Sequence, residues 1–307
     1  MINLREWALP VYTIMMQMAA GGMLILWIVY SQAVRRHGEE IADRLIHNLV
    51  LIIFITVIAA IIGSHYHLSR PLLSIRSVMN FKTSWLSREV IFTIFFAMLI
   101  GVLLFLHSYQ IGSITIHLAV GWCAVAMGIV TVYCMSRVYM LPTQAAWNSF
   151  ATPIAFFSAT LLLGNLAVSA LLLMNLHLAV LREETDLETQ QQIIQRTLWW
   201  VMLFAVATTG IELATYAFQI SELSSGSSTA RVSIDLLLGL YRVLFGGRLL
   251  LLVLGVSMLV GVVFWQRKAN RPIFLILTPI YFSFLFVLVS EVLGRFLFYA
   301  VHVRTGI

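Results

Sequence analysis

The chain has 307 residues, of which 61% are hydrophobic and 10% are charged, whereas about a quarter of the residues in soluble domains carry a charge. A soluble fold of this size has too little interior to bury so much apolar surface. The formal net charge of +6 comes from scattered residues, and no soluble domain exists to present them, which argues against a nucleic-acid-binding protein. We therefore expect the chain to lie in a lipid bilayer.

Eight apolar segments follow one another along the chain, each long enough to cross the hydrocarbon core as a helix, which takes roughly 20 residues. The segments are continuously apolar rather than alternating, which favours helices over transmembrane strands. They lie near residues 9–31, 46–66, 89–108, 114–136, 153–180, 197–220, 237–265 and 273–301. The sequence thus predicts an all-α integral membrane protein in which residues 1–307 form one domain, a bundle of eight transmembrane helices.

The first segment follows Arg5 and is about twenty residues long, and no small-residue cleavage site follows it. We expect it to be a transmembrane helix rather than a cleaved signal peptide. Eight crossings place both termini on the same side. Lys and Arg are almost equally divided between the two sets of connections, so the positive-inside rule does not give the orientation.

The second connection, residues 69–88, is the richest in basic side chains, with Arg70, Arg76, Lys82 and Arg88. A connection this basic is expected to dock a partner protein or to bind an anionic or quinonoid molecule.

Histidine and glutamate flank that connection. His65 and His67 end the second segment, and Glu89 opens the third, so the connection returns Glu89 to the same membrane boundary. Oxidation of a quinol releases two electrons and two protons, and a histidine with a carboxylate provides two proton acceptors. The alternative is that they are ordinary interfacial residues, with Glu89 stabilised by the positive end of its helix.

Four further charges fall well inside the apolar segments, away from their ends. Glu291 and Arg295 are four residues apart, so they share one helix face and are expected to pair. Glu212 and Arg248 have no partner within their own helices and are candidates to pair with each other across helices. A structural role is the simpler interpretation, and the alternative is that the four line the substrate path of a secondary transporter.

The chain offers few ligands for a redox cofactor. Cys123 and Cys134 lie eleven residues apart in one helix, roughly 16 Å, too far for a disulfide. Two thiolates are too few for an iron–sulfur cluster. The histidines all lie near helix ends, but four of them gather at one face, which leaves a cytochrome b-type haem anchor as an alternative. These four are His47, His107, His117 and His177.

Aromatic residues at the predicted helix ends are typical of the aromatic belts of membrane proteins. They are Tyr139, Trp147, Trp199, Trp200 and Trp265.

Fragments in constant order along the chain resemble the DmsC family, the membrane anchor subunits of dimethyl sulfoxide reductase-type molybdoenzyme complexes. The segment Ser64–Pro71 is similar to the family's H-L-G-x-P motif, with Ser69 where the family often has Gly, and Ser84–Glu89 is similar to its L-S-x-E motif. The other fragments are Glu6-Trp7, Gln17, Gly21-Gly22, Arg137–Tyr139, Trp147, Thr152-Pro153, Gly210–Ala214, Arg248, Glu291–Arg295, Phe298-Tyr299 and His302.

The resemblance implies a function. It implies a multi-pass subunit of the bacterial inner membrane, with both termini periplasmic, that oxidises menaquinol near the periplasmic face. Electrons then pass to a four-cluster iron–sulfur subunit and on to a molybdopterin catalytic subunit, so this chain is expected to hold no haem, no cluster and no metal. The family's quinol-site histidine falls on His67 and its carboxylate on Glu89. Arg70, Arg76 and Arg248 are expected to support that site or the docking face.

Overall fold

The computed structural model describes residues 7–65, 79–184, 186–269 and 273–303, without the side chains of His65, Ala269 and Phe274. These ranges form helices and connecting turns and contain no strand. The α-helices are α1 (Ala8–His37), α2 (Glu39–His65), α3 (Trp85–Tyr109), α4 (Ile114–Tyr139), α5 (Ala151–Leu181), α6 (Leu187–Ser224), α7 (Ser228–Asp235), α8 (Arg242–Ala269) and α9 (Leu277–Ala300). A π-helical turn, Leu236–Leu240, precedes α8, and a 3₁₀ turn, Ile273–Ile276, precedes α9.

Every α-helix except α7 is long and apolar enough to cross a membrane, which confirms the predicted number and order of spans. Helices α1 to α6 extend beyond the apolar segments at one or both ends, because charged and polar residues continue the helix outside the lipid. Helix α8 begins five residues after its predicted start at 237, and α9 lies within its predicted range of 273–301, because a π-helical turn and a 3₁₀ turn occupy the first residues of those two segments. Helix α6 has 38 residues, about 57 Å at 1.5 Å per residue, against a hydrocarbon core of about 30 Å. The first predicted connection shrinks to a turn at Gly38, whose φ of 89° favours glycine.

The two ends of the bundle are named here by the helices that meet there. The terminal face is the end where α1 begins and α9 ends, and the opposite face is the end where α1 ends and α9 begins. At the terminal face, the hydroxyls of Tyr139, at the end of α4, and Tyr299, at the end of α9, are 2.5 Å apart. The indole N–H of Trp147 donates to the Phe298 carbonyl at 2.8 Å.

Helices α1 and α5 form the centre of the bundle. Pairs of contacting residues rise together in number, from Gln17 with Phe156 to Gly22 with Val168, so the two helices run in the same direction. A Cβ at Gly21 would overlap the Thr160 carbonyl, and one at Gly164 would overlap the backbone of Gly21 and Gly22. Glycine on both helices lets the two backbones meet, as small residues commonly do in membrane helix pairs.

The remaining spans surround this pair. Helix α1 packs against α2 and α4, α5 packs against α6 and α9, and the hairpins α3–α4 and α8–α9 are tightly paired. Trp27 fastens α1 to α4, since its ring lies over Gly121 and its N–H donates to the Leu118 carbonyl at 3.1 Å. Helix α1 therefore contacts α2, α4, α5 and α9.

The glycine contact at the centre gives a direct test of the packing. We expect Gly164→Ala to destabilise the folded protein by about 1–3 kcal/mol, since the added methyl meets rigid backbone rather than a flexible side chain. Thermal unfolding of the full-length protein in detergent measures the change. Gly210→Ala is the matched control, because a Cβ there meets open space. Equal melting temperatures for the two variants would contradict the close approach of α1 and α5.

Candidate functional site

The structure describes two of the five residues proposed from the sequence for the quinol site and its support. Glu89 lies in α3 and Arg248 in α8. His67, Arg70 and Arg76 lie outside the described residues. The site is therefore built from Glu89 and its described neighbours.

Glu89 lies one turn inside α3, not at its first residue as predicted. The helix begins at Trp85 because the Ser84 side chain accepts a hydrogen bond from the Ser87 amide at 3.3 Å, an N-cap that the apolar pattern did not reveal. Arg88 donates to the carbonyls of Phe81 and Lys82, at 2.9 and 2.7 Å, and so holds the preceding turn against the helix. No acidic residue lies in the first turn of α3, so the helix dipole is a weak explanation for Glu89.

The Glu89 side chain points into the bundle and is only 5% exposed. The Tyr12 hydroxyl of α1 lies close to its carboxyl group and is 3.4 Å from the Thr93 hydroxyl. No Lys, Arg or His among the described residues forms an ion pair with Glu89. A buried carboxyl group without a cation is costly to keep charged, so this group is suited to take up a proton.

Other hydroxyl groups lie around Glu89 at the terminal face. Tyr139 and Tyr299 are both within electrostatic range of its carboxyl group and hydrogen-bond each other. Sequence reasoning missed Tyr12 and Tyr299 and assigned Tyr139 to an aromatic belt. Their positions in the sequence, at the ends of helices that share the terminal face with Glu89, could have indicated that they lie near it.

The aromatic-belt interpretation is also wrong for Trp147. Its ring is buried, stacks on Phe298 with centroids 5.2 Å apart, and stacks on His302 at 4.9 Å. Tyr139 contacts Trp147 edge-on at 5.5 Å. These rings face the bundle because the α4–α5 connection folds over the end of α9, where hydropathy gives no information. Trp265, which is exposed, fits the belt.

Arg295 pairs with α1 rather than with Glu291 as expected. Its guanidinium donates to the Gln17 side chain at 2.8 Å and lies 3.9 Å from the centroid of the Phe156 ring. Gln17 in turn donates to the Phe156 carbonyl at 2.9 Å. Glu291 stays within electrostatic range of Arg295, but the nearest cation to it is on α8. The four-residue spacing places Glu291 and Arg295 on one face of α9, but it does not show which neighbouring helices that face contacts.

Arg248 lies at the centre of the other charged cluster. Its guanidinium donates to Glu212 at 2.6 Å and to the Tyr216 hydroxyl, and lies 3.6 Å from Glu291. The predicted pairing of Glu212 with Arg248 across helices is thus confirmed. Gly294 leaves the space that the guanidinium occupies, since a Cβ there would overlap it. Arg248 therefore joins α6, α8 and α9 and supports the fold.

Three of the four histidines that the sequence grouped at the opposite face line one cleft there, namely His47, His107 and His117. His107 and His117 are buried and their ring centroids lie 4.6 Å apart. His47 and His177 are exposed. Two rings in direct contact have no porphyrin-sized gap between them, so this pair is not arranged as the two axial ligands of a haem.

Comparison with known proteins agrees with the fold. A family model described as DMSO reductase anchor subunit (DmsC) matches residues 1–301. The protein belongs to the DmsC family. The resemblance drawn from its sequence fragments is therefore confirmed, over almost the whole sequence.

Two curated members of the DmsC family match along nearly their whole lengths. The protein is 26% identical over 306 residues to the C subunit of anaerobic dimethyl sulfoxide reductase of Escherichia coli K12, covering 98% of this sequence and 96% of that one. It is also 26% identical over 306 residues to the corresponding C subunit of Haemophilus influenzae, covering 99% and 97%. The anaerobic dimethyl sulfoxide reductase subunit YnfH of Escherichia coli K12 is 29% identical over 170 residues, 54% of this sequence and 57% of that one.

The charged cluster of this DmsC-family protein gives a stability test. We expect Arg248→Met to cost about 3–5 kcal/mol, because it leaves Glu212 and Glu291 buried without their cation. Adding Glu212→Gln to Arg248→Met is expected to restore part of the loss. Thermal unfolding of the full-length protein in detergent is the measurement.

Arg242→Met is the matched control for Arg248→Met, since Arg242 is exposed in the first turn of the same helix. If the two variants lose equal stability, Arg248 does not hold the cluster together.

Proposed function

We propose that this protein anchors a dimethyl sulfoxide reductase-type complex in the bacterial inner membrane and oxidises quinol for it. Membership of the anchor subunit family and the eight span-length helices support the anchoring role. The names of the two full-length relatives, each the C subunit of an anaerobic dimethyl sulfoxide reductase, support the kind of complex. Catalytic and electron-transfer subunits are then its partners.

The observation that carries quinol oxidation is the contrast between two buried carboxylates. Glu212 forms an ion pair with Arg248 at 2.6 Å, which gives it a structural role. Glu89 is also buried, has a tyrosine hydroxyl as its neighbour, and lacks a cation among the described residues. A carboxyl group in that environment binds and releases a proton during a reaction.

The proposed reaction balances with two proton acceptors and one electron acceptor. The two O–H bonds of the quinol break, its two electrons leave one at a time, and one proton passes to Glu89 and the other to His67. The product is the quinone. General bases must lie within hydrogen-bond reach of the hydroxyls, and Tyr12 orients the Glu89 carboxyl group toward one of them. Menaquinol is the quinol that the family resemblance favours.

The electrons are proposed to leave this protein for an iron–sulfur subunit. Cys123 is exposed and Cys134 is buried on the same helix, and an iron–sulfur cluster takes four thiolates. We place the partner on the terminal face, beside Glu89, with that face periplasmic. The exposed basic residues of this face, Lys82, Arg231 and Arg242, offer it a positively charged docking surface. Arg70 and Arg76, which lie outside the described residues, are proposed to contribute to the docking as well.

Quinol-dependent reduction of the partner's clusters tests the proposal. We expect Glu89→Gln and His67→Leu each to slow that reduction by roughly 10²-fold or more, the usual contribution of a general base. The purified complex should keep its subunit composition, because Glu89→Gln preserves the size of the side chain and His67→Leu introduces no charge. The measurement is stopped-flow absorbance of the clusters after mixing with a menaquinol analogue.

Asp235→Asn is the control for the charge change, since Asp235 is an exposed carboxylate in α7. This substitution is expected to leave the rate of cluster reduction unchanged. Wild-type rates in both Glu89→Gln and His67→Leu would refute the proton-accepting roles. A complex that reaches the membrane without this subunit would refute the anchoring role separately.

A further inference from the structure

Three potential metal ligands from three helices meet at the opposite face. Asp43 lies in the second turn of α2, His107 in the last turn of α3 and His117 in the first turn of α4. One carboxylate oxygen of Asp43 and one ring nitrogen of each histidine all lie within 4.8 Å of one another. The distance from Asp43 Oδ1 to His107 Nε2 is 3.7 Å.

The histidine nitrogens in this cluster lack hydrogen-bond partners. His107 and His117 are only 8% and 3% exposed. Both ring nitrogens of His107 and Nδ1 of His117 are buried with no hydrogen bond to any residue in the described part of the sequence. Buried polar groups are nearly always paired, because leaving them unpaired is costly. One unpaired nitrogen on each histidine is therefore free to bind a ligand such as a metal ion.

Two of the three side chains are held in the orientation that a metal ion requires. The Tyr30 hydroxyl donates to Asp43 Oδ1 at 2.8 Å. Nε2 of His117 lies 2.9 Å from the Ile111 carbonyl, so Nε2 carries the proton and Nδ1 presents its lone pair to the cluster. A ligating histidine almost always donates its other N–H in this way.

The spacing suits a small ion with short bonds. Zinc bonds of about 2.0–2.2 Å to nitrogen and oxygen place tetrahedral ligand atoms about 3.3–3.5 Å apart. His107 and Asp43, at 3.7 Å, must approach by a few tenths of an ångström, and the widest pair of the cluster, within 4.8 Å, by about 1.5 Å at most. Glu39 Oε1, at 3.8 Å from His117 Nδ1, is available as a fourth ligand. A cleft of about 750 Å³ opens at these residues and provides an entry path.

The chemistry of the ligands restricts the ion. Imidazole nitrogen suits zinc and its transition-metal neighbours, whereas magnesium and calcium take sets of oxygen ligands. The contact between the rings of His107 and His117 excludes a porphyrin between them but leaves the ring edges free to converge on a single ion.

We propose that Asp43, His107 and His117 bind one zinc-class divalent ion, with Glu39 or water in the fourth position. The ion fastens α2 to the α3–α4 hairpin at the opposite face. The site lies at the other end of α3 from Glu89, so its test is independent of the quinol proposal.

Cobalt titration tests the site. The full-length protein, purified in detergent with a tag free of histidine and stripped with a chelator, is titrated with Co²⁺, whose visible absorption reports a tetrahedral site. We expect saturation at one Co²⁺ per molecule and displacement by Zn²⁺. His107→Ala and His117→Ala should bind Co²⁺ more than about 100-fold more weakly. Tyr30→Phe, which removes only the bond that orients Asp43, should lose about 10–100-fold.

His37→Ala is the matched control, an exposed histidine at the end of α1 on the same face, and should bind Co²⁺ like the wild type. If a histidine variant fails to fold, the Co²⁺ affinities of Asp43→Asn and Tyr30→Phe test the site instead, since both substitutions nearly preserve side-chain volume. The proposal is overturned if the folded wild-type protein shows no saturable band. It is also overturned if every folded ligand variant keeps wild-type affinity, or if His37→Ala loses as much as they do.

Discussion

The backbone contact between α1 and α5 is the constraint on which the rest of the bundle depends. Two helices of a membrane protein gain little from hydrophobic association with each other, because lipid is as apolar as their side chains. They gain from close approach, and Gly21 and Gly164 remove the atoms that would prevent it. With α1 fixed against α5, every side chain of α1 acquires a definite height and direction in the bundle.

Helix α1 then connects both faces to the core. Near the terminal face it presents Tyr12 to Glu89, and one turn further in it presents Gln17 to Arg295. Toward the opposite face Trp27 packs on α4, and Tyr30 orients Asp43. The residues proposed to handle protons and those proposed to hold a metal ion are thus positioned by the same helix.

The buried charged residues of the bundle have two kinds of environment, one with partners that offset the charge and one without a cation. Glu212, Arg248 and Glu291 form a cluster of opposite charges, and the Arg295 guanidinium contacts an amide oxygen and an aromatic face. These arrangements hold helices together, since breaking one leaves a charge in lipid. Glu89 has a hydroxyl for a neighbour and no described cation. A buried charge that is paired with an opposite charge has a structural role. A buried carboxyl group without a cation is suited to take up and release a proton.

The apolar pattern of the residues is enough to predict the spans, their order and the membrane around them. A continuous apolar segment of this length is stable as a helix across the bilayer, because its backbone must form its hydrogen bonds internally in lipid. The sequence also shows which charges lie within the spans and makes Glu212 and Arg248 candidates to pair with each other. The packing of the helices in three dimensions sets the remaining pairings: Arg295 turns to Gln17, Trp147 and Tyr139 face inward, and His107 meets His117. Those pairings depend on how each helix is rotated about its axis, and helices that are apolar on nearly every side carry no pattern that specifies rotation.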